Sequence, residues 1–190
     1  MIINVRGTHG SGKTTLVRKV MSHYKKGKPV YITGGRRLPI GYICRSKQEG
    51  QRALFVPGSY EHPVTGGCDN IITVDLIYGQ IRRYAKRGYD VVYEGIVAQH
   101  STPNIIKMHD RGLKVRAVVL KIPLKRALRG VKSRRKLRGE TRPFNPLNTT
   151  REAQNIITSS VRLQEAGVRV RYSTTRKAAL DQTLKWLGLS

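Results

Sequence analysis

Ile2-Ile3-Asn4-Val5-Arg6-Gly7-Thr8-His9-Gly10-Ser11-Gly12-Lys13-Thr14-Thr15 begins as a short apolar run and closes on the pattern GxxxxGK[ST], from Gly7 to Thr14. That pattern carries chemistry where a strand precedes it and a helix follows. Ile2 to Val5 reads as a buried first strand, and Lys13 to about Tyr24 reads as a helix with Leu16, Val17 and Val20 on its inner face. Gly7 allows a tight exit from the strand, while Gly10 and Gly12 let backbone N–H groups surround phosphate oxygens at the helix's positive end. Thr8, His9, Ser11 and Thr15 complete the cradle. Lys13 is placed to bridge the β- and γ-phosphates of ATP, and Thr14 to ligate Mg2+.

Outward from the loop the chain alternates strands with helices. Val30 to Thr33 reads as a second strand, Tyr89 to Glu94 as a third, Val115 to Ile122 as a fourth and Val168 to Tyr172 as the last. Helices are expected from about Asn70 to Arg87, Pro103 to Asp110, Pro123 to about Leu137, Thr149 or Thr150 to Ala166, and Thr175 to Leu187. Ile40 to Cys44 and Ala53 to Val56 look like a small β-hairpin inserted beside the sheet, in a segment of about 34–68. The fold class that follows is α/β: a P-loop NTPase/kinase fold, a parallel doubly wound sheet with helices on both faces, in one domain over 1–190. A basic helical segment at about 123–147 has the character of a mobile lid.

Charge bounds the partner. The 190 residues hold 37 Lys and Arg against 11 Asp and Glu, a formal +26. A field of that size recruits polyanions, so DNA or another nucleic acid is the expected partner, and a kinase of free nucleotides has no need of it. The two cysteines, Cys44 and Cys68, lack CxxC spacing and form no disulfide framework, which suits a reducing cytoplasm. No apolar run approaches the length of a membrane span.

Four groups of side chains complete the candidate site. Glu94, at the carboxyl end of the third strand, is where an acid that helps hold magnesium belongs; Asp90 lies near the other end. Asp69, after the sharp Gly66-Gly67-Cys68 turn, is either the acid that takes a proton from the acceptor hydroxyl or the N-cap of the helix that follows, with Asp75 a second choice. Arg134, Arg138 and Arg142 in the basic segment are candidates to neutralise the transferring phosphoryl group. Arg36, Arg37, Tyr42, Tyr60 and His62 mix bases with aromatics, a mixture suited to gripping a nucleic-acid backbone and stacking a displaced base, although each aromatic alone also serves packing.

Residues 1–18 (MIINVRGTHGSGKTTLVR), 34–43 (GGRRLPIGYI), 54–71 (LFVPGSYEHPVTGGCDNI), 93–95 (YEG) and 142–150 (RPFNPLNTT) together resemble phage-encoded P-loop kinases that phosphorylate 5-hydroxymethyluracil bases already in DNA, a step toward hypermodified thymidines. The resemblance implies that Lys13 and Thr14 hold ATP and magnesium, that Glu94 is the strand-end acid and that Asp69 activates the acceptor. It accounts for the charge, because a kinase acting on a base within polymeric DNA must bind phosphates on both flanks. It also implies the cytoplasm of an infected host. His9 departs from the small residue expected in the loop. A kinase of polynucleotide 5′-hydroxyl ends and a DNA-dependent ATPase are the alternatives; the first would carry its acceptor acid soon after the second strand, where Gly34-Gly35-Arg36-Arg37 offers no carboxylate.

Overall fold

The structure, a computed structural model, describes residues 1–32, 38–62, 66–71, 73–141 and 143–189. Strand β1 (Ile2–Gly7) is buried at every position. A strand buried on both faces belongs at the centre of a parallel sheet, and β1 lies between β5 (Asp90–Glu94) and β6 (Val115–Leu120), with Ile3 level with Val92 on one side and Arg116 on the other. Adding β2 (Lys28–Val30), β3 (Gly41–Cys44), β4 (Leu54–Pro57) and β7 (Arg169–Ser173) gives seven strands in the order β2-β3-β4-β5-β1-β6-β7. β4, β5, β1, β6 and β7 run parallel; β2 and β3 are antiparallel additions beyond β4.

The second parallel position corrects the sequence reading. Val30 to Thr33 does not supply it: β2 stops at Val30 and pairs antiparallel with β3 at the margin, and Thr33 lies outside the described residues. The supposed hairpin is not set beside the sheet either. β3 and β4 do pair antiparallel, but β4 also pairs in parallel with β5, Leu54 with Asp90 and Phe55 with Val91. All four residues of β4 are buried, as an inner strand requires, whereas Pro29 in β2 has no N–H to give a neighbour and suits a margin. At that margin Lys28 and Pro29 are exposed; at the other, on β7, so are Arg169 and Arg171.

Helices cover both faces. Helix α1 (Lys13–Ser22) and α7 (Arg176–Leu187) pack Leu16, Val17, Val20, Ala179, Leu184 and Trp186 against Ile3, Val5, Val92 and Val118. On the other face α2 (Val74–Lys86), α4 (Thr102–Asp110) and α6 (Pro146–Glu165) bring Ile77, Ile81, Ile105, Met108, Ile156 and Leu163 onto Ile2, Val91, Val115 and Ala117. Polar side chains sit within this second layer as well. Arg6 of β1 is fully buried, its guanidinium donating to Asn4 Oδ1 and to the hydroxyls of Ser159 and Ser160.

Two helix starts differ from expectation. α2 begins at Val74, capped by Thr73, whose hydroxyl accepts from Leu76 N at 3.2 Å; α6 begins at Pro146, capped by Asn145, whose Oδ1 accepts from Leu147 N at 2.9 Å. Asp69 therefore does not cap α2, and neither Thr149 nor Thr150 caps α6. Short α3 (Ile96–His100) was not anticipated, and α5 (Leu124–Leu137) is the basic helix. Among the described residues no helix is long and apolar enough to cross a membrane.

Candidate active site

The carboxyl ends of β1 and β5 open into one cleft of about 300 Å³. Its floor is the glycine-rich loop between β1 and α1. Gly10 and Gly12 hold φ of +73° and +97°, a region that favours glycine. Glycine is needed at position 10 for a second reason: helix α5 rests directly on the loop. A Cβ on Gly10 would lie 2.2 Å from the Ala127 carbonyl oxygen, and one on Gly130 would lie 2.6 Å from the Gly10 carbonyl oxygen. At position 12 a Cβ would meet Arg176 Cδ at 2.5 Å, so the side chain that opens α7 covers the loop's other shoulder.

Lys13 is 7% exposed, and its ammonium donates to the Gly7 and Thr8 carbonyls at 2.6 and 3.2 Å. Burial lowers its pKa, opposed by the carboxylate of Glu94. Glu94 ends β5 at 2% exposure, and its Oε1 accepts from Thr14 Oγ1 at 2.8 Å. Burial pushes the Glu94 carboxyl up to about 7, against the pull of Lys13 and the Thr14 hydrogen bond. The Gly66-Gly67 turn passes over this carboxylate; a Cβ on Gly67, which has φ of +95°, would fall 2.5 Å from Glu94 Oε1. The turn leads into a single 3-10 turn, Cys68–Asn70, that carries Asp69 into the same cleft. Asp69 Oδ1 lies 3.0 Å from the place a Cβ on Gly95 would occupy.

Gly10, Gly12, Lys13, Thr14, Thr15, Glu94, Asp69 and Arg134 thus line one space, with Thr8 and His9 at its edge. Burial and the nearby Arg138 lower the pKa of Arg134, while Glu94 pulls it the other way. Ser11 is buried beneath the loop, its N–H donating to the Thr8 carbonyl. Arg138 stands apart. Its guanidinium donates to Glu140 at 3.0 Å, and Arg135 pairs with the same carboxylate at 2.9 Å, in a neighbouring pocket with Phe144 and Asn148.

Tyr42 and Tyr60 do not present their faces to the cleft. Their rings meet edge to face at 6.0 Å, the Tyr42 hydroxyl donates to Glu61, and Tyr60 N donates to the Tyr42 hydroxyl. They pack the wall behind the site. His62 is exposed, and its carbonyl accepts from Arg18. Arg36, Arg37 and Arg142 lie outside the described residues.

Five residues escaped the sequence reading. Arg18 lines the cleft and ties the Tyr60 and His62 carbonyls to α1, and Ile96 and Arg176 line it as well. Glu152 and Gln99 grip the loop from beneath. Glu152 Oε2 accepts from Thr8 Oγ1 and from His9 N, each at 2.9 Å. His9 lies beside this carboxylate, its Nε2 3.6 Å from Glu152 Oε2, and burial lowers its pKa against the pull of Glu152.

A phosphate cradle, a hydroxyl hydrogen-bonded to a buried carboxylate, a second carboxylate and a cleft arginine are the parts of a phosphoryl-transfer site. No protein-family model matches the chain. It is 33% identical over 170 residues to a protein named 5-hmdU DNA kinase, of Pseudomonas phage PaMx11, covering 89% of this chain and 88% of that one. Among solved structures, deoxyadenosine kinase from M. mycoides with products dCMP and a flexible dCDP bound superposes with a TM-score of 0.47 at 13% identity, covering 99% of each chain. The same enzyme with bound dATP gives 0.47 at 14% identity, over 99% of this chain and 100% of that one.

Proposed function

The chain belongs to the 5-hmdU DNA kinase family, and we propose that it transfers the γ-phosphate of ATP to the hydroxymethyl group of 5-hydroxymethyluracil within DNA. What supports this reading most is the placing of Asp69 and Glu94 on one wall of the cleft whose floor is the phosphate loop. One acid serves the donor side and the other is left for the acceptor.

The N-terminus of α1 and the Lys13 ammonium hold the phosphates. Thr14 and Glu94 would hold magnesium: a hydroxyl and a carboxylate 2.8 Å apart are hard oxygen donors of the kind the ion takes alongside substrate phosphates. Bound there, magnesium would neutralise phosphate charge. Asp69 orients the acceptor hydroxyl and receives its proton as the oxygen attacks the γ-phosphorus; the bond from that phosphorus to the β-phosphate oxygen breaks, and ADP leaves. Arg134 meets the charge on the transferring group. Residues 1–190 act as one kinase domain, with the basic segment of about 123–147 closing as a lid and the net +26 drawing in the DNA backbone.

The test incubates the protein with γ-labelled ATP, magnesium and DNA containing 5-hydroxymethyluracil, beside ordinary DNA with 5′-hydroxyl ends, and digests both to nucleosides. Label on the modified nucleoside is expected. Label at the ends alone would make the protein a polynucleotide 5′-hydroxyl kinase, and phosphate release without label would make it a DNA-dependent ATPase.

A further inference from the structure

Two segments far apart in the chain, α3 and α6, converge under the first residues of the phosphate loop. Gln99, on α3, is fully buried and accepts from Gly7 N through Oε1 at 3.0 Å; its Nε2 donates to Glu152 Oε1 at 3.2 Å. Glu152, on α6 and 7% exposed, accepts on its other oxygen from His9 N and Thr8 Oγ1, the hydroxyl also lying 3.0 Å from the Thr149 carbonyl oxygen. Every contact made by the Glu152 side chain in this set is an acceptance.

A carboxylate beside a phosphate cradle opposes anion binding by simple Coulomb repulsion. Its presence there needs a countervailing role, and the hydrogen bonds name one. The donors at position 152 come from both sides: a hydroxyl and an N–H on one oxygen, an amide NH2 on the other. An amide at 152 would turn its own NH2 against that of Gln99, and Gln99 cannot rotate to accommodate it without abandoning Gly7 N. The polarity of the chain Gly7, Gln99, Glu152, His9 is therefore fixed.

We propose that Glu152 and Gln99 are positioning residues that hold Gly7, Thr8 and His9 in the phosphate-receiving shape, through the direction of their hydrogen bonds and not through the charge of Glu152 itself. The inference rests on the kinase reading in one respect, that the loop receives ATP. It also explains why position 9 tolerates a histidine: it is the backbone N–H of His9, anchored to Glu152, that the network uses.

The polarity can be reversed. In the double variant Gln99→Glu with Glu152→Gln, the carboxylate at position 99 accepts from Gly7 N and from the amide NH2 at position 152, and the amide oxygen at 152 accepts from Thr8 and His9. Composition, volume and net charge are unchanged. The measurement is calorimetric titration with ATP and magnesium, with no DNA present, on the native protein, both single variants and the double variant. Each single variant leaves a buried donor or acceptor mismatched and should weaken ATP binding about 10-fold, the factor that corresponds to a lost buried hydrogen bond; the double variant should return to within about threefold of native. Native affinity in Glu152→Gln overturns the proposal, as does a folded double variant no better than the singles. Should the singles fail to fold, the double variant decides alone, and its failure to fold would also count against the proposal. Because no acceptor is present, a wrong acceptor assignment leaves these results untouched, whereas a native protein that binds no ATP refutes the kinase reading as well.

Discussion

Glu94 is 2% exposed, and burial pushes its carboxyl up to about 7 from an ordinary value of 4.5. In the unfolded chain the group titrates near the ordinary value, so between the two the native state holds the extra proton and stability falls as pH rises. Above pH 7 the folded protein keeps this carboxylate ionised at a cost of about 3 kcal/mol. Glu94→Gln removes the charge but retains an oxygen to accept from Thr14. In chelator-treated protein the variant should therefore be more stable than native at pH 8, by roughly 5–10 °C in melting temperature for a chain of this size. The two melting curves should converge towards pH 4, where native Glu94 is protonated in both states. Circular dichroism melts at half-unit steps from pH 4 to 8.5 would measure it. A difference that does not change with pH, or a native protein that melts higher at pH 8, would refute the argument that burial dominates at Glu94. The same variant should lose phosphoryl transfer, because the carboxylate that destabilises the fold is the one proposed to hold magnesium.

Further outcomes follow from the geometry of the cleft. Gly130→Ala sets a methyl 2.6 Å from the Gly10 carbonyl oxygen and should cost about 1–3 kcal/mol while raising the KM for ATP, read by denaturant melts and steady-state kinetics. Arg134→Gln should lower kcat on the order of 100-fold, whereas Arg138→Gln, whose side chain is engaged with Glu140 outside the cleft, should leave kcat within about threefold of native and weaken DNA binding; the opposite ranking in single-turnover assays would exchange their roles. Asp69→Asn should reduce kcat by roughly 100-fold or more while the protein stays folded, α2 keeping its Thr73 cap; activity near native would remove Asp69 from the chemistry.

What could be read in the sequence was what neighbours in sequence determine. The phosphate loop and Glu94 are local patterns, each a few residues at the end of a strand, and the structure brings them into contact. The position of β4 was missed because inner and marginal strands differ only in what flanks them, yet the signal was present: Leu54-Phe55-Val56-Pro57 is apolar on both faces, while Lys28-Pro29 bears a charge and lacks a donor. Tyr42 and Tyr60 looked like stacking platforms from their company of bases, but their rings pack edge to face against one another and the Tyr42 hydroxyl is taken by Glu61. Arg18, Arg176 and Gln99 gave no sign, since what they touch lies in other segments of the chain. Glu152 gave one. The buried positions of α6 are Thr149, Glu152, Ile156, Ser160 and Leu163, a helical stripe, and an acid on such a stripe needs a buried partner.

On the proposed function, the basic margins of the sheet matter once many copies share one DNA molecule. Proteins lined up along a polymer meet at high local concentration, the condition in which unpaired strand edges recruit one another and solutions turn to aggregate. Here β2 shows Lys28 and Pro29, and β7 shows Arg169 and Arg171. One margin lacks a donor and carries a cation, the other carries two, so neighbouring molecules meet repulsion where they could otherwise join sheets. These edge cations add to the positive field and oppose joining of sheets at once, so neutralising them would expose the protein to self-association as well.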